Sequence, residues 1–445
     1  MTGSQDEAEG VGVLARGGEV VRADEASSDE EQRGATATAT ARLQRMPSIS
    51  AASRALPRGL RARILNFTPS WFSVSMGTGG VHILLLLLAD VWSAYASDAT
   101  ADNHQSFASN TTLPALILRW PALIFWIVNC ALFFTFLLAF ISRYIMFPAV
   151  LPLTLTHPQK SPFLGTAPMA FLTLISSLSQ LGTRFFALGV TPTILAASLW
   201  FVACFFSTLC ALVVPFSMMI LQNHHFEGTT AALLLPVVPP ITAAATGAGI
   251  AELLAIDKPS LSFTVLTLSY IMNGVGLMLA LMILTLYFQR LLLFNLALPV
   301  PGTGHGNGVP LLTYGVAQAL YGAGLVGALH LVGLGAWFCL LAIAIVFREA
   351  TQERLKFNLG FWAATFPLAS LIIGVGRLAL VLDSLAIRVV FTLMCFAYAL
   401  VYFGVAVPTL RGFISAELLV APCIADLPLD PLKKYRDPRD EVEER

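Results

Sequence analysis

Long apolar blocks, separated by short polar joins, fill most of the chain between residues 64 and 412. Ten of these blocks are about 20 residues long, the length that crosses a hydrocarbon layer ~30 Å thick as a helix. The predicted spans are 70–90, 116–141, 163–181, 192–220, 231–254, 262–288, 309–327, 329–347, 359–380 and 386–408. The pattern therefore predicts an all-α integral membrane protein with ten transmembrane helices.

The seventh and eighth spans adjoin each other and together cover 39 residues. At ~1.5 Å per residue they would reach about 58 Å, enough for two crossings joined by a tight turn. Gly324 and Gly327 are the candidates for that turn. A single long tilted or re-entrant element is the alternative.

Composition supports the membrane assignment and separates two tails. Of 445 residues, 56% are hydrophobic and only 12% are charged, against roughly 25% charged residues in soluble domains. Charges concentrate in residues 1–63, which we predict to be a disordered cytosolic tail, and in 413–445, a second cytosolic tail. Residues 64–412 then form the transporter domain. The formal net charge is zero, so no nucleic-acid partner is expected.

Lysine and arginine near the span ends predict the orientation. With the N-terminus in the cytosol, eleven of them lie on the cytosolic side and four on the other. Ten spans return the C-terminus to the cytosol as well. The first outer loop contains Asn110 in the triplet Asn-Thr-Thr, a candidate glycosylation site.

Helix-breaking residues are concentrated in the odd-numbered spans. The main ones are Gly77, Gly79, Gly80, Gly165, Pro168, Pro236, Pro239, Gly247, Gly315, Gly322 and Pro367. Bent helix is tolerated in lipid only where freed backbone groups find protein, water or a cavity. The alternation predicts an inner ring of odd spans around a pore and an outer jacket of even spans. Close helix packing through small residues is the alternative.

Two ionisable residues inside spans are candidates for attracting an anion. His82 lies in the first span, where it could carry a proton, attract an anion or hydrogen-bond to a neighbouring helix as a neutral ring. Arg377 lies near the end of the ninth span and is expected to face the bundle interior. Extension to the interface and pairing with Asp383 are its alternatives.

Motifs of enzymes and metal sites are missing from the sequence. The six cysteines have no metal-ligand or redox spacing and are expected to pack as small apolar residues. The glycine-rich run 301–308 lacks the Lys-Ser/Thr of a phosphate-binding loop. We therefore predict no enzymatic activity, no cofactor and no metal. A membrane-embedded enzyme or a receptor is the alternative of another class.

Several stretches resemble one transporter family. Residues 66–80 read NFTPSWFSVSMGTGG, and further matching stretches lie at 157–169, 235–239 and 360–368. They are similar to the tellurite-resistance/dicarboxylate transporters, a family that is voltage-dependent anion channel-like. It includes fungal malic acid permeases, fungal sulfite efflux pumps and the slow anion channels of plant guard cells.

The resemblance implies five hairpins, with odd helices around a central pore, and a homotrimer. It also implies a pore occluded by a phenylalanine of the ninth helix, a position that Phe366 resembles. The stretch FLGTAPM at 163–169 looks more like the sulfite pumps than the malic acid permeases. The expected function is therefore sulfite-type efflux of small anions through the plasma membrane. A C4-dicarboxylate carrier, with or without proton coupling, is the alternative.

Overall fold

A computed structural model of the chain describes residues 60–99, 113–186, 188–222, 231–293, 314–352 and 357–414. Within these ranges the regular elements are all helical. The α-helices are α1 (Leu60–Leu65), α2 (Phe72–Ala99), α3 (Leu113–Met146), α4 (Val150–Thr156), α5 (Thr166–Gln180), α6 (Thr191–Leu221), α7 (Val238–Leu254), α8 (Pro259–Leu293), α9 (Tyr314–Gln352), α10 (Trp362–Val381) and α11 (Leu385–Ile414).

The predicted spans correspond to these helices except at one place. In the described part of the chain, eight helices are long and apolar enough to cross a membrane. They match the first four spans and the sixth, eighth, ninth and tenth; the match to the eighth, Gly324–Arg348, is part of the longer helix α9. The fifth span is a 3₁₀ turn, Ala231–Leu234, followed by the apolar 17-residue helix α7.

The exception is α9, which is one unbroken helix of 39 residues. Gly324 and Gly327 lie inside it, so the predicted tight turn at these glycines is wrong. A glycine costs a helix only about 1 kcal/mol. In hydrocarbon, a turn that leaves backbone groups unpaired costs more. Residues 309–313 of the predicted seventh span lie outside the described residues.

The helices form two layers. In their most apolar stretches, 78% of α2 and 61% of α5 is buried inside the protein, against 17% of α3 and of α8. The inner helices α10, α2, α5 and α7 pack side by side in that order. Helices α3, α6, α8 and α11 pack outside them and expose large apolar side chains such as Phe134, Phe205 and Phe396. The first, third and ninth spans are thus more buried than the second, fourth, sixth and tenth.

All four inner helices begin at the same end of the bundle. A 3₁₀ turn precedes each of them: Leu359–Phe361 for α10, Pro69–Trp71 for α2, Ser161–Gly165 for α5 and Ala231–Leu234 for α7. The turns contact one another in the same order as the helices. We call these four segments the entry turns. The N-terminal ends of the inner helices therefore lie together.

Local sequence explains the entry turns. Proline at an early position of the turn, as in 69–71 and 161–165, presets the backbone angle that a helix start needs. In 359–361 the side chain of Asn358 instead accepts a hydrogen bond from the Gly360 N–H, at 2.8 Å. The Thr166 hydroxyl, which donates to the Pro69 carbonyl at 3.0 Å, ties two of the turns together.

Candidate functional site

Phe366 lies on α10, one turn after Trp362, and is half-buried against the main apolar cluster of the bundle. Pro367 follows it inside the helix. Because proline has no N–H, the Ala363 carbonyl loses its helical partner at this point. The Ser370 hydroxyl donates to the Phe366 carbonyl at 3.0 Å. The candidate gate thus occupies an interrupted part of an inner helix.

Arg377 shares a face of α10 with Phe366. Residues 366, 370, 373 and 377 follow the spacing of four, three and four that aligns side chains along one helix face. Arg377 is exposed in the last turns of α10. The pairing with Asp383 is not formed, because Asp383 pairs with Arg388 instead. A role of Arg377 in attracting anions stays a prediction.

His82 is fully buried on α2 and faces the outer helix α3. Its Nδ1 lies 2.7 Å from the Ala122 carbonyl oxygen. Since a carbonyl only accepts, Nδ1 carries the proton that it donates. Nε2 has no partner among the described residues. His82 therefore makes the interhelical hydrogen bond that the sequence left as one alternative, and its attraction of an anion stays a prediction.

The glycines of α2 are sites of close helix contact. A methyl group at Gly77 would lie 2.6 Å from the Trp362 ring of α10. At Gly79 it would lie 2.7 Å from Thr173 Cβ of α5, and at Gly80 2.6 Å from the Tyr398 hydroxyl of α11. Contacts under 3.0 Å are ones that real methyl groups do not make. These residues thus have the packing role given above as the alternative, and lining of a pore stays a prediction.

The other glycines predicted to line the pore divide between tight and open positions. Gly165 meets the backbone of Leu235, and Gly247 of α7 meets the Trp200 ring of α6, 2.7 Å from its Cε2. Gly322 of α9 is exposed and meets nothing within 4 Å. Gly315 is the second residue of α9. Asn110 lies outside the described residues.

The predicted prolines stand where the inner helices start or are interrupted. Pro168 is in the first turn of α5 and Pro239 in the first turn of α7, and both are buried. Pro236 is buried between the entry turn Ala231–Leu234 and α7. Their roles in lining a pore stay predictions.

Polar side chains of the outer helices form hydrogen bonds with the inner helices. The sequence did not predict these contacts. The Trp200 indole Nε1 of α6 donates to the Ala243 carbonyl of α7 at 2.8 Å. The Tyr398 hydroxyl of α11 donates to the Gly77 carbonyl of α2 at 3.0 Å. Asn129 of α3 contacts both α2 and α5. A buried amide in the middle of an apolar span is the one signal that could have marked Asn129 beforehand.

Arg388 is a further residue whose contacts the sequence did not reveal. It is one of the four lysine and arginine residues predicted on the outer side, and its side chain is only 2% exposed. Its guanidinium pairs with Asp383 and lies 5.1 Å from the centre of the Tyr95 ring. It joins the end of α2 to the turn between α10 and α11, at the end of the bundle opposite the entry turns.

The fold defines a multi-pass α-helical membrane protein with an inner and an outer helix layer. Residues 66–410 match the voltage-dependent anion channel family. The chain belongs to this family, and it is a transporter of small anions.

Named relatives align along most of their own length. A sulfite efflux pump of Arthroderma otae is 32% identical over 358 residues, which cover 73% of this chain and 86% of the relative. A sulfite efflux pump of Trichophyton rubrum gives the same identity and coverage. A protein of Schizosaccharomyces pombe named for malic acid transport is 26% identical over 385 residues, covering 80% of this chain and 82% of the relative.

Proposed function

We propose that the chain exports small oxyanions of the sulfite type across the plasma membrane, through a path bounded by the inner helices. The observation that carries this proposal is the 32% identity to sulfite efflux pumps along 86% of their length. A channel or carrier fits the family better than an enzyme, because the family is one of anion channels.

The entry turns support movement of anions in particular. The N-terminal end of a helix carries a partial positive charge, roughly half an elementary charge. Four such ends lie together at the entry turns. An anion arriving there meets a favourable potential. Anions can then be selected with few lysine or arginine side chains inside the membrane, in agreement with the low content of charged residues in the sequence.

Phe366 and Arg377 have complementary roles in this proposal. Phe366 closes the path in the interrupted part of α10, and Arg377 draws anions from the far end of the same helix face. The predicted glycines and prolines of the inner helices shape the wall of the path between them. The protein works as a homotrimer, as its family resemblance implies, and cross-linking in the native membrane tests this state.

The directions of the helices support ten crossings. Gly276 lies beside Pro240, and Gly247 beside Ser269, so α8 runs antiparallel to α7 and ends near the entry turns. Gly335 lies beside Leu371, and Gly374 beside Val332. Helix α9 is therefore antiparallel to α10, and its residues after about 325 return toward the entry turns.

A crossing is thus needed between the end of α8 and that part of α9. The predicted seventh span, 309–327, cannot supply this crossing as drawn, because its residues from Tyr314 onward belong to the unbroken helix α9 and run in the direction of its later residues. With one crossing added between the two helices, the number of crossings is even and both chain ends are cytosolic. Protease added outside intact cells should spare tags at both ends. A cleaved C-terminal tag alone would mean nine crossings and refute this topology.

Flux measurements test the transport proposal directly. Purified protein in liposomes should carry sulfite faster than malate, with an imposed pH gradient added to reveal proton coupling. The Schizosaccharomyces pombe relative favours a dicarboxylate carrier as the second candidate. Malate flux without sulfite flux would establish that candidate, and flux of neither anion would refute both.

A further inference from the structure

A buried polar cluster joins two inner helices to an outer one. Asn129 of α3 is 1% exposed and lies against Ser75 of α2 and Thr173 of α5. The Ser75 hydroxyl donates to Asn129 Oδ1 at 2.6 Å. Asn129 Nδ2 donates to Thr173 Oγ1 at 3.4 Å. We call these three residues the amide bridge.

The direction of each hydrogen bond in the bridge is fixed. The Thr173 hydroxyl donates its only hydrogen to the Ala170 carbonyl, at 2.7 Å. Its oxygen is therefore left to accept, which places the NH₂ group of Asn129 toward α5 and the amide oxygen toward α2. A primary amide offers a donor and an acceptor on one short planar group without a charge. Asparagine thus satisfies both hydrogen bonds of the bridge.

Gly79 makes room for the bridge. A methyl group there would lie 3.0 Å from Asn129 Nδ2 and 2.7 Å from Thr173 Cβ. The seam between α2 and α5 is therefore narrow at this level and is held from outside by the amide. The hydrocarbon region of a membrane has no water that could replace these hydrogen bonds. Helices α2 and α5 therefore keep the relative position that satisfies the Asn129 amide.

We propose that Asn129 is a positioning residue that sets the size of anion admitted between the inner helices. This inference rests on the proposed anion path. Asn129 itself sits outside the inner layer. Asn129 fixes the spacing and rotation of α2 against α5 and so keeps the gap between these two helices of the wall narrow. A narrow gap favours a compact anion such as sulfite over a longer one such as malate.

The test compares sulfite and malate flux in the same liposome preparations. Asn129→Leu removes both hydrogen bonds at similar volume, and Ser75→Ala removes one of them. We expect the sulfite-to-malate ratio to fall by about threefold in Asn129→Leu, the factor equivalent to an interhelical hydrogen bond of about 0.6 kcal/mol. The ratio should fall less in Ser75→Ala.

The ratio separates positioning from loss of folded protein. A smaller amount of active protein lowers both fluxes together and leaves their ratio unchanged. In the double variant Ser75→Ala/Asn129→Leu, the ratio should equal that of Asn129→Leu, because the bond can be lost only once. Thr135→Val is the matched control, since Thr135 lies on the exposed face of α3 and its hydroxyl donates only to the Ala131 carbonyl.

Each outcome is decisive. An unchanged ratio in both single variants, with wild-type flux present, overturns the positioning role and leaves the transport proposal intact. Additive changes in the double variant also overturn it, because they would mean that the two residues act separately. Absence of flux in the wild type refutes the transport proposal itself.

Discussion

Replacing Gly165 with alanine perturbs the point where two entry turns touch. Gly165 ends the turn Ser161–Gly165 and is buried. The added methyl carbon would lie 2.8 Å from the Leu235 carbonyl carbon and 3.1 Å from Pro236 Cα, and nearer still to the Leu235 oxygen. All of these are backbone atoms. No side-chain rotation can relieve the contact, so the two chain segments must separate.

The cost can be bounded from these distances. Carbon atoms in contact normally lie about 3.5–4.0 Å apart, so the segments must move by roughly 0.5–1 Å. Such overpacking costs about 1–3 kcal/mol. Gly165 has φ −64 and ψ −19, angles that alanine adopts freely. Because alanine has less conformational freedom than glycine in the unfolded chain, the substitution also stabilises the folded state by about 0.4–1 kcal/mol. We expect a net loss of about 1–2 kcal/mol, or roughly 1–3 °C in Tm when the unfolding entropy per residue of soluble domains is applied to a domain of this size.

Thermal unfolding in detergent, followed by intrinsic tryptophan fluorescence, measures this loss. Gly404→Ala is the matched control, because Gly404 lies on the exposed face of α11 and a methyl group there would meet nothing within 4 Å. Its Tm should stay level or rise slightly. Equal Tm values for the two variants would refute the close contact of the entry turns.

Two further substitutions test the gate and the buried charge. Phe366→Ala should raise anion flux or leak in liposomes, because it removes the ring that closes the path; unchanged flux would count against a gate at this residue. Asp383→Asn should lower Tm more than Arg388→Met. Asparagine tolerates the left-handed backbone at position 383, where φ is 46, but leaves the buried Arg388 guanidinium without its carboxylate, whereas methionine replaces the guanidinium with an apolar chain of similar length. The opposite order in a melting experiment would contradict pairing of the buried Arg388 with the exposed Asp383 carboxylate.

The sequence was sufficient to locate the helices, because crossing a membrane imposes a length and an apolar composition that can be read directly. It was insufficient at Gly324 and Gly327. Both residues lie in an apolar run that can be divided into two spans or kept as one helix. The preference for a hydrogen-bonded backbone in lipid decides locally in favour of the helix.

The contacts of the polar residues could not be predicted in the same way. Ser75 and Asn129 are 54 positions apart in the chain, and Tyr398 is 321 positions from Gly77. Such pairs depend on the rotation of each helix about its axis. The spans are apolar on every side, so no polar face indicates that rotation. The burial of Arg388 could not be predicted for the same reason: its position near a span end does not indicate the direction in which its side chain points.

The excess of glycine in the odd spans has a cause more general than a pore. An inner helix has more helix neighbours than an outer one, and glycine stands at several points where another helix comes close, as at Gly77, Gly80 and Gly247. An outer helix has lipid on one side and can carry glycines there that touch nothing, as Gly274 and Gly404 do. Gly276 supports this explanation, because it belongs to the outer helix α8 but faces α7, and there its contact is tight.

Alternating glycine content therefore reports which layer a helix occupies. Whether the inner layer also encloses a path is a separate question, and flux through the Phe366 and Asn129 variants answers it.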